Sequence, residues 1–155
     1  MTVAIRDFEP GDEVAFRRLN EEWIRANFAL EEKDVEILGN PNGSILDRGG
    51  FVFMAKDDEE PVGCCALLRM ADGGFELGKM AVSPAAQGRG IARSLLEACV
   101  TKARSLGARR LYLETNSKLV PALRLYESFG FTRLADDAGP PSPYARSNLR
   151  MEFRL

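Results

Sequence analysis

The stretch with the clearest chemical shape is Gln87-Gly88-Arg89-Gly90-Ile91-Ala92, which follows the apolar run "FELGKMAV" and opens a helical pattern almost at once. A helix N-terminus carries unpaired backbone N–H groups and the positive end of the helix dipole. Glycine at 88 and 90 removes Cβ atoms that would keep an anion at a distance, so the segment can seat a phosphate or pyrophosphate. Arg89 and Arg93 place mobile positive charge near the same spot. The plainer alternative is a tight strand-to-helix turn that needs glycine for its own geometry. Two other nucleotide signatures fail on spacing. The third glycine and later acid of a dinucleotide site are missing, and there is no Gly-Lys-Ser/Thr of a P-loop.

What the chain lacks narrows the chemistry further. There is no histidine, which removes imidazole as general base, triad member and zinc ligand, and no metal site is expected. Cys64, Cys65 and Cys99 all fall in apolar patterns and read as buried reduced thiols, not as disulfides or a nucleophile. That usage fits a reducing cytoplasm. Net charge is -2 with both signs mixed along the chain, so no basic surface for nucleic acid is expected. Apolar residues make up 45% and charged residues 28%, the balance of an ordinary soluble protein. No apolar run approaches membrane-spanning length, and "MTVAIRDFEPGDE" lacks the features of a signal peptide.

These residues must be positioned by the elements around them, and 155 residues suggest one domain, 1–155. "TVAIRDF" reads as a strand ended by Pro10-Gly11. A helix follows from Asp12, its cap, with Val14, Phe16, Leu19, Trp23 and Ile24 at helical spacing. "ALEEKDVEIL" reads as a shorter helix and "GNPNGS" as a loop. "GGFVFMAKDDEEPVGCCALLRMADGGFELGKMAV" reads as a three-strand meander. The helix from Gly90 turns Leu95, Leu96, Cys99, Val100 and Ala103 inward, with Gly107 as its stop. "RRLYLET" is a strand, "LVPALRLYESFG" a helix closed by Gly130, "FTRL" a strand, "DDAGPPSPYA" a loop and "NLRMEFRL" the last strand. The order predicts an α/β fold, a mixed sheet with helices on both faces.

Gln87 to Ala92 also matches Gln/Arg-x-x-Gly-x-Gly/Ala. With "FELGKMAV", "LETNSKLVPALRLYESFGF" and the element order, essentially the full chain resembles the GNAT superfamily of N-acetyltransferases, in which that motif holds the pyrophosphate of acetyl-CoA. The resemblance implies a six- to seven-stranded mixed sheet splayed between its fourth and fifth strands, with about four helices. It implies that the pantetheine arm lies in that gap and pairs with Met80, Ala81 and Val82. A backbone N–H near Met80 or Ala81 would be the oxyanion donor. Gln87, Gly88, Arg89, Gly90, Ile91, Ala92 and Arg93 would surround the pyrophosphate. Gly78 is where the strand's β-bulge is expected, or else simply a weakened regular strand.

Tyr126 matches the family's acid for the departing thiolate; otherwise it packs on its own helix in register with Leu119, Ala122 and Phe129. Many members carry asparagine where this chain has Leu119, so Asn116 is expected to join the cofactor side, with Ala122 beside it. Glu76 is the candidate base for the incoming amine, or else a carboxylate paired with Lys79 or an arginine. For the acceptor, Trp23, Phe28, Glu31, Glu32, Tyr144 and Arg146 are the candidates. Glu21, Glu22, Glu31 and Glu32 together would attract a cationic amine, and "SPYARSN" would act as a lid or carboxylate clamp. The implied activity is direct acetyl transfer from acetyl-CoA to a primary amine in a ternary complex, with a small-molecule amine favoured and a homodimer common among such proteins. The alternatives are a non-catalytic acyl-CoA-binding module, or an acyltransferase using longer acyl chains or protein and peptide amines.

Overall fold

A computed structural model describes residues 3–155, so Thr2 of the expected first strand lies outside the described residues. The chain runs β1 (Val3–Asp7), α1 (Glu13–Asn27), α2 (Glu32–Gly39) and a one-turn α3 (Pro41–Ser44). The meander β2 (Phe51–Asp57), β3 (Glu60–Arg69) and β4 (Phe75–Val82) follows, then α4 (Ile91–Ser105) and β5 (Arg110–Thr115). The chain ends with α5 (Val120–Phe129), β6 (Thr132–Arg133) and β7 (Leu149–Arg154). Among the described residues seven strands lie in the order β1-β2-β3-β4-β5-β7-β6, with β4 and β5 parallel.

Two local expectations need correction. The stretch expected as a loop contains α3: Pro41 presets its first turn and the Asn40 side chain accepts the Gly43 N–H at 3.0 Å. Asp12 does not cap α1 with its side chain. Its carboxylate instead takes the Glu9 N–H at 2.8 Å and Lys56 Nζ at 3.0 Å, tying the Pro10-Gly11 turn to β2.

Strand alternation divides the interior into two cores. Met54, Cys64 and Ala66 pack against Phe16, Leu19 and Ile24 of α1 and Ile37 of α2. Phe53, Cys65 and Leu67 pack against Leu95, Leu96 and Cys99 of α4. The adjacent cysteines therefore enter opposite cores, and all three are free and buried. Gly107 ends α4 at φ +73°, a left-handed turn that suits glycine.

The feature that makes a site is a gap. β4 pairs with β5 only at Phe75–Leu111 and Glu76–Tyr112, while on its other edge β4 stays paired with β3 as far as Val82. The cause lies in β4. Ala66 faces Gly78 and Cys64 faces Ala81, so Cys65 alone opposes both Lys79 and Met80, and Lys79 adopts a left-handed φ of +51°. The bulge therefore falls just past Gly78, which keeps its register. A bulge bends its strand and sharpens the twist, turning the end of β4 away from β5. It also reverses side-chain parity. Phe75, Leu77, Met80 and Val82 all meet the α4 core, whereas Ala81 joins the α1 core. Glu76 consequently points to the α1–α2 face, opposite to Met80.

Candidate active site

A cavity of about 680 Å³ occupies the gap, walled by β4, β5, α1, α5 and the loop around Tyr144. Of the residues expected to meet the cofactor, Met80, Ala81, Val82, Gln87, Gly88 and Ala92 line it, as do Asn116, Ala122 and Tyr126 across the gap. Arg89, Gly90, Ile91 and Arg93 do not line it. The glycine loop has the geometry of the plainer alternative, a tight strand-to-helix turn, and it leaves open the space the expected anion would need. Gly88 (φ +80°) and Gly90 (φ +76°) adopt left-handed backbone that favours glycine, and a Cβ built at either meets nothing within 4 Å. Among the described residues the N–H groups of Gly90, Ile91, Ala92 and Arg93 have no acceptor; the first helical bond joins Ser94 N–H to the Gly90 carbonyl at 3.1 Å. Open space in front of free donors fits the pyrophosphate of acetyl-CoA.

The arginines depart from expectation. The Arg89 guanidinium pairs with Asp57 at 2.9 Å, and Arg93 donates to Ser128 Oγ at 3.0 Å while lying 5.1 Å from the Phe129 ring. They brace the loop against β2 and α4 against α5 instead of presenting mobile charge. The Ile91 side chain is buried in the core, which leaves only its backbone to a ligand.

Tyr126 differs from the other tyrosines. Tyr112 donates to Glu114 at 2.8 Å, and the Tyr144 hydroxyl accepts from Lys79 at 3.0 Å. The Tyr126 hydroxyl has no hydrogen-bond partner among the described residues, although its ring packs on Phe131 with centroids 5.8 Å apart. Burial, then the nearby Cys65 and Cys99, push this phenol above its ordinary range, so it stays protonated at neutral pH.

Glu76 lines the same cavity, and among the described residues its carboxylate makes neither a hydrogen bond nor an ion pair. Burial and then the Glu114 carboxylate push it up to about 7, against the pull of Lys79 and Lys33. The alternative, Glu76 paired with Lys79 or an arginine, does not form among the described residues: Lys79 Nζ lies 2.7 Å from Asp34.

Asp34 is the residue that sequence reasoning missed. It is fully buried, holds the Arg146 guanidinium at 2.6 and 2.7 Å, and accepts the Glu31 N–H at 2.9 Å. Burial pushes its carboxyl up, but the Arg146 and Lys79 hydrogen bonds outweigh this and hold it well below its ordinary value. Burial pulls Lys79 down in turn. Tyr144 lies between the two cations, 4.6 Å from Lys79 Nζ and 4.5 Å from the Arg146 guanidinium. Glu31 adds the Ala145 N–H at 2.8 Å. The "SPYARSN" segment is thus fastened at its centre, and the Arg146 guanidinium is committed within the protein. Two sequence signals point here: Glu31-x-x-Asp34, a capping box with both halves formed, and a lone lysine inside an apolar strand.

The remaining candidates divide. Trp23 and Phe28 line the cavity, with ring centroids 6.2 Å apart. Asn116 lines it too, but its amide donates to the Arg146 carbonyl at 2.8 Å and accepts the Lys118 N–H at 2.9 Å, holding two loops together. Glu32 is exposed and does not line the cavity; its neighbour Lys33 does. Glu21 is used along α1, at 2.8 Å from Arg17 and 3.5 Å from Arg25. None of Glu21, Glu22, Glu31 and Glu32 lines the cavity, whose charged lining among the described residues is Lys33, Lys79, Lys118 and Arg146 with Glu76 and Glu114.

Comparison with known proteins places this geometry. Residues 12–131 match the acetyltransferase (GNAT) family. Mycothiol acetyltransferase of Thermomonospora curvata is 34% identical over 91% of this chain, a match that covers 48% of that relative. The chain thus spans about half the length of the curated relatives it first matches. A GNAT-family acetyltransferase from Staphylococcus aureus superposes with a TM-score of 0.90 at 20% identity, covering 99% of each chain. YncA of Salmonella typhimurium, solved with its cofactor acetyl-CoA, superposes with a TM-score of 0.78 at 21% identity, covering all of this chain and 95% of the other. With the family's motif intact at Gln87–Ala92 and its strands parted at β4 and β5, the chain belongs to the GNAT acetyltransferase family.

Proposed function

We propose that residues 1–155 act as a single acetyl-CoA-dependent N-acetyltransferase domain that acetylates a small primary amine by direct attack within a ternary complex. The observation that carries this reading is the pair of unpartnered groups facing one cavity, the Tyr126 hydroxyl and the Glu76 carboxylate. Acetyl-CoA supplies an activated acetyl thioester: the amine nitrogen bonds to the acetyl carbon and the carbon–sulfur bond breaks. The free N–H groups from Gly90 to Arg93, with Gly88 in front of them, hold the pyrophosphate. The edge of β4 from Met80 to Val82, where Gln87 Nε2 already donates to the Val82 carbonyl at 3.3 Å, receives the extended arm, and an N–H at Met80 or Ala81 faces the carbonyl oxygen. Glu76 takes the ammonium proton that must leave before attack. Tyr126 gives its proton to the departing sulfur, and the nitrogen sheds its second proton to solvent as the amide forms, the solvent reprotonating Tyr126. The buried reduced thiols support a cytoplasmic setting, and a homodimer is the expected assembly, read by light scattering on the purified protein.

The test is thiol release from acetyl-CoA with a panel of primary amines, with the acetylated amine identified by mass spectrometry. Binding of CoA without release for any amine would replace this reading with the non-catalytic module.

Two expected outcomes belong here. Gly90→Val forces a β-branched side chain into left-handed backbone at the mouth of the seat. CoA affinity measured by calorimetry should fall about tenfold or more, with a stability loss of about 1–2 kcal/mol. For Glu76, a base pushed up to about 7 must be deprotonated to act, so kcat/KM should rise with pH and level off above that value. Glu76→Gln should remove that limb and lower the plateau about tenfold or more. A profile unchanged in Glu76→Gln would remove Glu76 from the mechanism.

A further inference from the structure

The charges on the cavity wall differ in how far they are already satisfied. Lys79 and Arg146 are neutralised by the buried Asp34, and Glu31 adds to Arg146 at 3.5 Å. Lys118 is different. Its Nζ donates to the Asn27 carbonyl at 2.6 Å and sits 4.0 Å from the centroid of the Phe28 ring, and no carboxylate pairs with it among the described residues. Its backbone is pinned, since its N–H bonds to Asn116 and the preceding Ser117 N–H bonds to Asn148 Oδ1 at 2.9 Å. Lys33 has Glu36 at 3.2 Å, a pair on the open face of α2 that solvent screens heavily.

The acids are arranged the other way. Glu114 is engaged by the Tyr112 and Ser142 hydroxyls, and Glu76 alone is unpaired. The cavity therefore has one unpaired acid beside the splayed strands and two cations on its wall, Lys33 and Lys118, that no buried carboxylate neutralises among the described residues, with the rings of Phe28 and Trp23 also facing it.

We propose that the acceptor is an amine that also carries a carboxylate or comparable anionic group, and that Lys118 and Lys33 read that anion while the amino group meets Glu76. This rests on the acetyltransferase reading above and names its substrate class. A molecule of that kind places opposite charges against opposite charges. A polyamine must instead set a second cation against Lys33 and Lys118.

The experiment compares matched amines as acceptors: β-alanine, 5-aminovalerate and L-phenylalanine against β-alaninamide, 5-aminovaleramide and L-phenylalaninamide, with spermidine as the polycation. Two readouts are used, kcat/KM from thiol release and calorimetric binding of each amine to the CoA-loaded protein. In at least one matched pair the acid should exceed its amide by about tenfold or more on both, with the advantage shrinking as salt is added. Spermidine should rank below the acids. In Lys33→Met/Lys118→Met the acid-to-amide ratio should collapse towards one. Amides or spermidine used as well as the acids would overturn the proposal, as would a ratio that survives the double substitution. If no amine is turned over although CoA binds, the acetyltransferase reading has failed, and the calorimetric ratio still decides whether the wall selects an anion.

Discussion

Tyr126→Phe should lower kcat about 100-fold, leaving CoA affinity and thermal stability close to those of the parent protein. The rate effect follows from the ordinary worth of a positioned proton donor, about 10² to 10⁴. The stability expectation follows from the missing partner. Deleting a hydroxyl that makes no hydrogen bond strands nothing, so the fold should be indifferent or slightly more stable. The other tyrosines are the internal control. Tyr112→Phe removes the bond to Glu114, and Tyr144→Phe removes the acceptor of Lys79, so both should lose stability. The raised affinity of Tyr126 for its proton makes donation more uphill than for a solvated phenol, but a thiolate leaving in the same desolvated cavity is also a stronger base there. The donor consequently remains loaded across the working pH range. Unchanged kcat in Tyr126→Phe would leave the hydroxyl a packing residue and return the proton to water.

How much of this was legible from the sequence depends on how far apart the determinants lie. The glycine loop and α4 were readable because each is local. Left-handed backbone at Gly88 and Gly90 needs glycine, and the inward stripe from Leu95 to Ala103 repeats at helical spacing, with every member of it buried. The bulge was readable only through the family resemblance, beside a regular strand as the alternative, and not in its place. Glycine drew the expectation to Gly78, whereas Lys79 takes the strained conformation with its ammonium anchored on Asp34, 45 residues away. The acceptor wall was least legible. Four glutamates near the first helices suggested an acidic pocket, but Glu21 is spent along α1, Glu31 on the late loop, and Glu22 and Glu32 on solvent. Arg146 looked available from sequence, and its partner lies 112 residues earlier. Composition cannot say which charges are already paired; contacts across the fold decide that.

Asp34 therefore carries the second large expectation. Asp34→Asn should lower the unfolding free energy by about 3 kcal/mol and Tm by about 10 °C, because it leaves Lys79 a buried cation without its counter-charge and Arg146 with Glu31 alone. The acid limb gives the sign. Asp34 is held below its ordinary 3.8 in the fold, so its contribution is full above that value and is lost as pH falls below it. The parent protein should lose stability steeply from about pH 4 downward, and Asp34→Asn should lack this component. Function separates the clamp from mere packing. Replacing all three charges, as Asp34→Leu/Lys79→Met/Arg146→Met, removes every stranded ion and should recover much of the lost stability. It should not recover turnover, because the bulge and the Tyr144 loop are no longer tied to α2. A stable triple variant with the parent's kcat would mean that the clamp holds the fold alone. Equal stability of Asp34→Asn and the parent at pH 7 would mean that the three charges hold nothing at all.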